Sequence, residues 1–101
     1  MIFAILLMDK PGTEALRIRV RPEHRAYLAR LSDRIAFAGP LTSEDGQKTV
    51  GSLLAIDFPS RFDLDAWLND EPFTKAGVYD KPIIHVFHNV WAQKAGFPSA
   101  L

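Results

Sequence analysis

The chain has 101 residues, 48% of them hydrophobic and 24% charged, which are the proportions of one small globular domain. Its twelve basic and twelve acidic residues balance, which argues against nucleic acid as a partner. Because cysteine is absent, disulfides, thiolate catalysis and zinc–thiolate sites are excluded, and we expect a cytoplasmic protein. The apolar start at residues 1–8 is too short to span a bilayer and lacks a secretory signal's features, so no membrane partner is expected.

The first half of the chain predicts a strand and a helix. Residues 2–8 form a continuous apolar run, typical of a central strand covered on both faces. A loop with a short helical turn through Leu16 leads to a helix predicted from Pro22 to Asp33, because proline suits the first turn of a helix. Its inward face has the spacing i, i+3, i+4, i+7 and consists of His24, Tyr27, Leu28 and Leu31.

The second half predicts a hairpin, a helix and a last strand. The hairpin strands span 35–41, interrupted by Gly39-Pro40, and 50–58, where Gly51 indicates a close approach of the backbone to a neighbour. A capping box formed by Ser60 and Asp63 opens a second helix that ends near residue 70. A connector and a strand over 83–91 follow, and residues 92–101 are a C-terminal extension of the single domain 1–101.

This order of elements predicts a ferredoxin-like βαββαβ fold of the α+β class, an antiparallel sheet with two helices on one face. So small a domain leaves much surface uncovered, and we expect a homodimer that buries an apolar sheet face. The topology also brings five segments to one edge of the sheet, which predicts a site there for a small-molecule ligand. These segments are Asp9, His24, Gly39-Pro40, Ser52 and residues 70–73.

His24 is the candidate base at this edge. At the start of a helix the dipole favours neutral imidazole, and Asp9 could orient the ring and stabilise the imidazolium formed after proton abstraction. Ser52 could hold a substrate oxygen, and Arg17 or Arg21 a carboxylate or phenolate. The structural alternatives stay open: His24 as a hydrogen-bonded core residue, Asp9 as a turn residue, and the arginines as solvated or ion-paired groups.

No metal or cofactor is expected. His85 and His88 fall on opposite faces of the predicted last strand, so they cannot bind one metal ion together. The chain also contains no glycine-rich phosphate loop and no nucleophile elbow.

An ordered set of short motifs resembles the YciI-like (YCII-related) family over nearly the whole chain. The motifs are Met8-Asp9-Lys10, Arg17, Val20-Arg21-Pro22 with His24, Ala38-Gly39-Pro40, Gly51-Ser52, and Pro72-Phe73 through Ala76-Gly77-Val78-Tyr79. The resemblance implies a fold of the dimeric α+β barrel type, usually a homodimer. It also implies a histidine and aspartate pair as the proposed active site, and one relative is a dehydrochlorinase acting on a chlorinated hydroxyquinol.

Carried over by matching positions, the catalytic candidates are His24 and Asp9. The substrate-binding candidates are Arg17, Arg21, Ser52, Gly39, Pro40 and Phe73. The chain departs from the family pattern at Glu71, where many members have aspartate before the proline–aromatic pair.

The leading hypothesis is a cofactor-free enzyme that uses general acid–base chemistry on a small anionic or aromatic substrate, in the manner of a lyase or dehydrochlorinase. The alternative is a ligand-binding or accessory module without catalysis.

Overall fold

A computed structural model describes residues 1–97 and contains one sheet with three helices. The strands pair antiparallel in the order β2-β3-β1-β4. The elements in chain order are β1 (Ile2–Met8), α1 (Glu14–Ala29), β2 (Ile35–Thr42), β3 (Thr49–Asp57), α2 (Arg61–Asn69), α3 (Pro72–Ala76) and β4 (Ile83–Phe87). The predicted ferredoxin-like α+β fold is therefore confirmed.

The short helix α3 lies in the segment that the sequence predicts as a connector. The side chain of Glu71 accepts a hydrogen bond from the backbone N–H of Thr74, and Pro72 occupies the first turn. Gly77 ends the helix in the left-handed region at φ 84°, where residues other than glycine are strained. One acidic cap thus stabilises a helix of five residues beside α1.

The hydrophobic core lies between the helices and one face of the sheet. Along β1, Phe3, Ile5 and Leu7 are buried among core residues of α2 and α3, whereas the alternate side chains, such as Leu6, are only half-buried. Within this chain the prediction of a strand covered on both faces is therefore wrong for β1. Its outward face is apolar and lies on the side of the sheet away from the helices.

The predicted start of the first helix at Pro22 is wrong. Helix α1 begins at Glu14, and Pro22 lies inside it. A proline there has no N–H for the carbonyl four residues earlier, which belongs to Ile18. Because Ile18 is 62% exposed, water can bind that carbonyl instead. His24 consequently lies in the C-terminal half of α1, and the argument from the dipole at a helix start no longer applies to it.

The strand β2 continues through Gly39-Pro40, where the sequence predicts that the strand is interrupted. Pro40 pairs with Ser52 in the sheet register, and β2 can accept a proline because it is an edge strand. The close approach predicted at Gly51 is confirmed, since a Cβ there would lie 2.6 Å from the carbonyl oxygen of Leu7.

The last strand is shorter than predicted. β4 ends at Phe87, which faces Ile2, the first residue of β1, so the residues after it have no partner strand. Residues 92–97 of the predicted extension form neither helix nor strand, and 98–101 lie outside the described residues. Within residues 1–97, no helix is long and apolar enough to cross a membrane.

Candidate active site

A cavity of about 420 Å³ lies between α1 and the β2–β3 edge of the sheet. From α1 it is lined by residues at the i, i+4, i+7, i+11 spacing of one helical face, namely Arg17, Arg21, His24 and Leu28, together with Arg25. The sheet side consists mainly of small residues, including Ala38, Gly39, Pro40 and Ser52. Every predicted site residue except Asp9 lines this cavity, so the structure brings seven of the eight together.

The imidazole of His24 is held by Glu71. Nδ1 of His24 donates to Oε1 of Glu71, whose side chain is fully buried, and Oε2 of the same carboxylate accepts from the backbone N–H of Thr74 at 3.0 Å. Because an ionised carboxylate only accepts hydrogen bonds, the proton of a neutral ring lies on Nδ1. The lone pair is therefore on Nε2.

Nε2 of His24 is available to a ligand. It has no hydrogen-bond partner within residues 1–97, and none of the fully buried polar side-chain atoms described there lacks a partner. Nε2 is therefore accessible, on a side chain that lines the cavity. This arrangement suits a base whose orientation is fixed before the substrate arrives.

The ring of Phe73 fixes the imidazole from a second direction. The rings of His24 and Phe73 stack with centroids 4.0 Å apart and planes inclined by 20°. The guanidinium carbon of Arg17 also lies over the Phe73 ring, 4.6 Å from its centroid. Phe73 is almost fully buried in the core, where its ring also packs edge-on against Tyr79, so its position is fixed.

The prediction that Asp9 hydrogen-bonds to His24 is wrong, because Asp9 pairs with Arg17. The guanidinium of Arg17 donates to Oδ1 of Asp9 at 2.7 Å and to Oγ of Ser52 at 2.9 Å. Burial raises the pKa of the Asp9 carboxyl, and the neighbouring Arg17 acts in the opposite direction. The carboxylate that orients His24 is Glu71, at the position where the chain departs from the family pattern.

Ser52 belongs to the same buried network as Arg17. Its hydroxyl shares a 2.8 Å hydrogen bond with the phenol of Tyr79, and burial raises the pKa of Tyr79 to about 12. Arg17 and Ser52 both line the cavity, but their hydrogen bonds go to other protein side chains and not into the cavity.

Two residues of this site are missed by the sequence reasoning. Glu71 could have been found from its position before Pro72, which is that of an acidic helix cap. Arg25 follows Arg21 by one helical turn, which the pattern indicates once the helix is extended back to Glu14. Within residues 1–97, no group of three or more His, Cys, Asp or Glu side chains could hold a metal ion.

The sheet order and the helix layer define a ferredoxin-like protein of the dimeric α+β barrel class. The chain belongs to the YCII-related domain family, which it matches over residues 1–88. Protein YciI of Escherichia coli O6:H1 is 32% identical over 98 residues, covering 90% of this chain and 100% of YciI. An uncharacterized protein of Haemophilus influenzae is 30% identical over the same shares of the two chains.

Two solved structures share the fold. One is 5-chloro-2-hydroxyhydroquinone dehydrochlorinase (TftG) from Burkholderia phenoliruptrix in complex with 2,5-dihydroxybenzoquinone, with a TM-score of 0.81 and 32% identity over 87% of this chain and 94% of TftG. The other is an antibiotic biosynthesis monooxygenase with a TM-score of 0.53 and 14% identity over 89% of this chain and 99% of that chain, a likeness of fold alone.

Proposed function

We propose that this protein is a cytoplasmic, homodimeric enzyme that performs cofactor-free acid–base chemistry on a small anionic or aromatic molecule in the cavity beside α1. The observation that carries the proposal is the state of His24. Its Nδ1 is bonded to the buried Glu71, and its Nε2 has no partner within residues 1–97. A ring held in this way is a base of fixed orientation.

In the proposed reaction, Nε2 of His24 removes a proton from substrate carbon next to an electron-withdrawing group. Glu71 stabilises the imidazolium that forms, as orienting carboxylates do in other acid–base sites. In an elimination, the C–H electron pair becomes a new π bond and the leaving group departs with its own bonding pair. The imidazolium then returns its proton to water or to the leaving group.

The likeness to TftG supports chemistry of the lyase type. That dehydrochlorinase is 32% identical to this chain and has a TM-score of 0.81 over nearly its whole length. The proposal assigns Asp9 a positioning role, in which it holds Arg17 against Phe73. Gly39, Pro40 and Ser52 line the same cavity from the sheet side.

The test is turnover with His24→Gln. We would incubate the protein with 5-chloro-2-hydroxyhydroquinone and with a library of cyclic acids and phenols, and follow conversion by proton NMR. On any substrate that is converted, His24→Gln should lower the rate by about a hundredfold or more. His88→Gln, an exposed histidine outside the cavity, is the matched control. A variant His24→Gln with the wild-type rate would exclude this mechanism, and ligands that bind without conversion would favour a non-catalytic module.

The outward face of the sheet supports the homodimer. Its apolar side chains are only partly covered within this chain; they include Leu6, Met8, Phe37, Leu53 and Ile83. A contiguous apolar face of this kind is typical of an interaction surface, and pairing two such sheets would bury it. Leu6→Lys should give a monomer in sedimentation velocity, while Phe62→Lys, at an exposed position of α2, should not. A Leu6→Lys dimer of wild-type affinity would contradict this assembly.

A further inference from the structure

The cavity lining carries positive charge without acidic side chains. Three arginines and His24 face it, and no aspartate or glutamate is among its lining residues. The whole chain is electrically balanced, with twelve basic and twelve acidic residues, so this local excess does not follow from composition. A cleft of one sign attracts ligands of the opposite sign.

Two of these arginines are free to meet a ligand. Arg17 is neutralised by Asp9 and donates to Ser52. Arg21 and Arg25, by contrast, make no ion pair and no side-chain hydrogen bond within residues 1–97. They lie one turn apart on α1, on the side that faces the cavity. The unpaired positive charge of the cavity lining therefore belongs to Arg21 and Arg25.

We propose that Arg21 and Arg25 bind a carboxylate of the substrate, so that the substrate is a small ring-bearing carboxylic acid. This inference rests on the proposed function, since it takes the same cavity as the active site. The planar guanidinium fork matches the geometry of a carboxylate. His24 lines the same cavity from the same helix, so a bound acid would lie within the site of the proposed base. The wall formed by Gly39 and Pro40 is small and largely apolar, which suits the flat body of a ring.

The competing ligand class is a neutral phenol or quinone, which would need hydrogen bonds but no arginine pair. Two hydroxyls line the cavity, those of Ser52 and Thr49, and the hydrogen bonds of Ser52 already go to Arg17 and Tyr79. The donors left open in the cavity are therefore the charged groups of Arg21 and Arg25 and one neutral hydroxyl, that of Thr49. This balance favours an acid over a neutral ring.

The experiment is an NMR titration of ¹⁵N-labelled protein with benzoate, and with benzamide as its neutral counterpart of similar shape. Benzoate should shift signals of the cavity residues and bind more tightly than benzamide, with an affinity that falls as salt is added. Arg21→Gln and Arg25→Gln should each weaken benzoate about tenfold, as expected for loss of one charge-assisted contact. Arg19→Gln, on the same helix but outside the cavity lining, is the matched control.

The outcomes separate this inference from the proposed enzyme. Equal binding of benzoate and benzamide, or unchanged binding in both arginine variants, overturns the carboxylate site. The variant His24→Gln should bind benzoate within a few-fold of wild type even though it fails in turnover. Loss of turnover in His24→Gln with intact benzoate binding therefore supports both proposals. If the wild-type protein converted neutral phenols alone, the carboxylic acid would be excluded as substrate, but the proposed enzyme would not be.

Discussion

Glu71 joins the imidazole of His24 to the N-terminal cap of α3. One carboxylate oxygen contacts Nδ1 of His24, 47 positions earlier in the chain, and the other accepts from the N–H of Thr74 at 3.0 Å. The orientation of the imidazole is therefore tied to the start of α3. In the proposed mechanism this one side chain supports both catalysis and local folding, and substitutions of Glu71 should separate the two effects.

Glu71→Gln should lower turnover far more than stability. The amide still accepts at the helix cap, but it has no charge with which to stabilise the imidazolium and can select the wrong tautomer of His24. We expect turnover to fall about a hundredfold or more, as loss of an orienting carboxylate does in related arrangements. The free energy of unfolding should fall by about 1 kcal/mol. Rates and urea unfolding measured on the same samples provide the check.

Glu71→Asp is the matched variant, because it keeps the charge and removes one methylene. The shorter side chain brings the carboxylate closer to the backbone, and we expect it to lose one of the two contacts, with His24 or with Thr74. Turnover in Glu71→Asp should therefore lie below wild type, and α3 should exchange its amides faster. If Glu71→Gln retained full turnover, the carboxylate would have no part in the chemistry.

The buried pair of Asp9 and Arg17 should be costly to break. Their side chains are 9% and 7% exposed, so removing Arg17 leaves a carboxylate that water cannot easily reach. Arg17→Met should lower the free energy of unfolding by about 3 kcal/mol, and adding Asp9→Asn should recover part of that loss. Urea unfolding of the two single variants and the double variant measures the coupling. Arg61→Met is the control, since its pair with Asp65 is half-exposed and worth less than about 1 kcal/mol.

The loss of stability in Arg17→Met should depend on pH, because Asp9 loses its partner in this variant. Burial raises the pKa of Asp9 above its ordinary value, and that variant lacks the guanidinium that opposes the rise. A carboxyl with a raised pKa in the folded state favours folding when it is protonated. The stability gap between Arg17→Met and wild type should therefore shrink as the pH falls through the pKa of folded Asp9. A gap that grows at low pH would show that the carboxylate is not left unpaired.

The sequence predicts most of this fold because its local signals agree with the tertiary structure. The apolar run at 2–8 and the capping box at Ser60 each depend on neighbouring residues alone. The start of α1 depends on something else. Pro22 is tolerated inside the helix because Ile18 faces water, and that orientation is set by packing. A local pattern cannot contain this information.

The sequence predicts where the candidate residues meet, but not which of their side chains contact one another. Strand and helix order determine which ends meet, so seven of the eight candidate residues line one cavity. Which carboxylate reaches His24 depends on the position of α3, whose capping residue is Glu71. The outcome is Glu71 at the imidazole and Asp9 at Arg17.

Gly51 and Gly39 should differ in how much stability they lose on the same substitution to alanine. In Gly51→Ala the new Cβ would lie 2.6 Å from the backbone oxygen of Leu7, so β1 and β3 must move apart. We expect a loss of about 2 kcal/mol or more in the free energy of unfolding. In Gly39→Ala the Cβ meets nothing within 4 Å, and the change should stay within about 1 kcal/mol. Thermal unfolding of both variants gives the comparison, and equal losses would contradict the close approach at Gly51.

The phenol of Tyr79 should make the fold sensitive to alkali. Burial raises its pKa from 10.0 to about 12, because the phenolate would lose its hydration among core residues. Unfolded chains release this proton near pH 10, so folding is favoured below that pH and the advantage disappears as the pH rises to about 12. A shift of this size corresponds to a loss on the order of 2–3 kcal/mol across that range.

Tyr79→Phe removes this titration and supplies the comparison. At neutral pH the variant should be less stable than wild type by about 1 kcal/mol, because the phenol's hydrogen bond with Ser52 is lost. Wild type should then lose stability more steeply than Tyr79→Phe as the pH rises from 10 towards 12, so the gap between them narrows or reverses. Urea unfolding across that range, with tyrosinate absorbance recorded in parallel, measures both effects. Parallel stability curves for the two proteins would mean that Tyr79 ionises in the folded state as easily as in the unfolded chain.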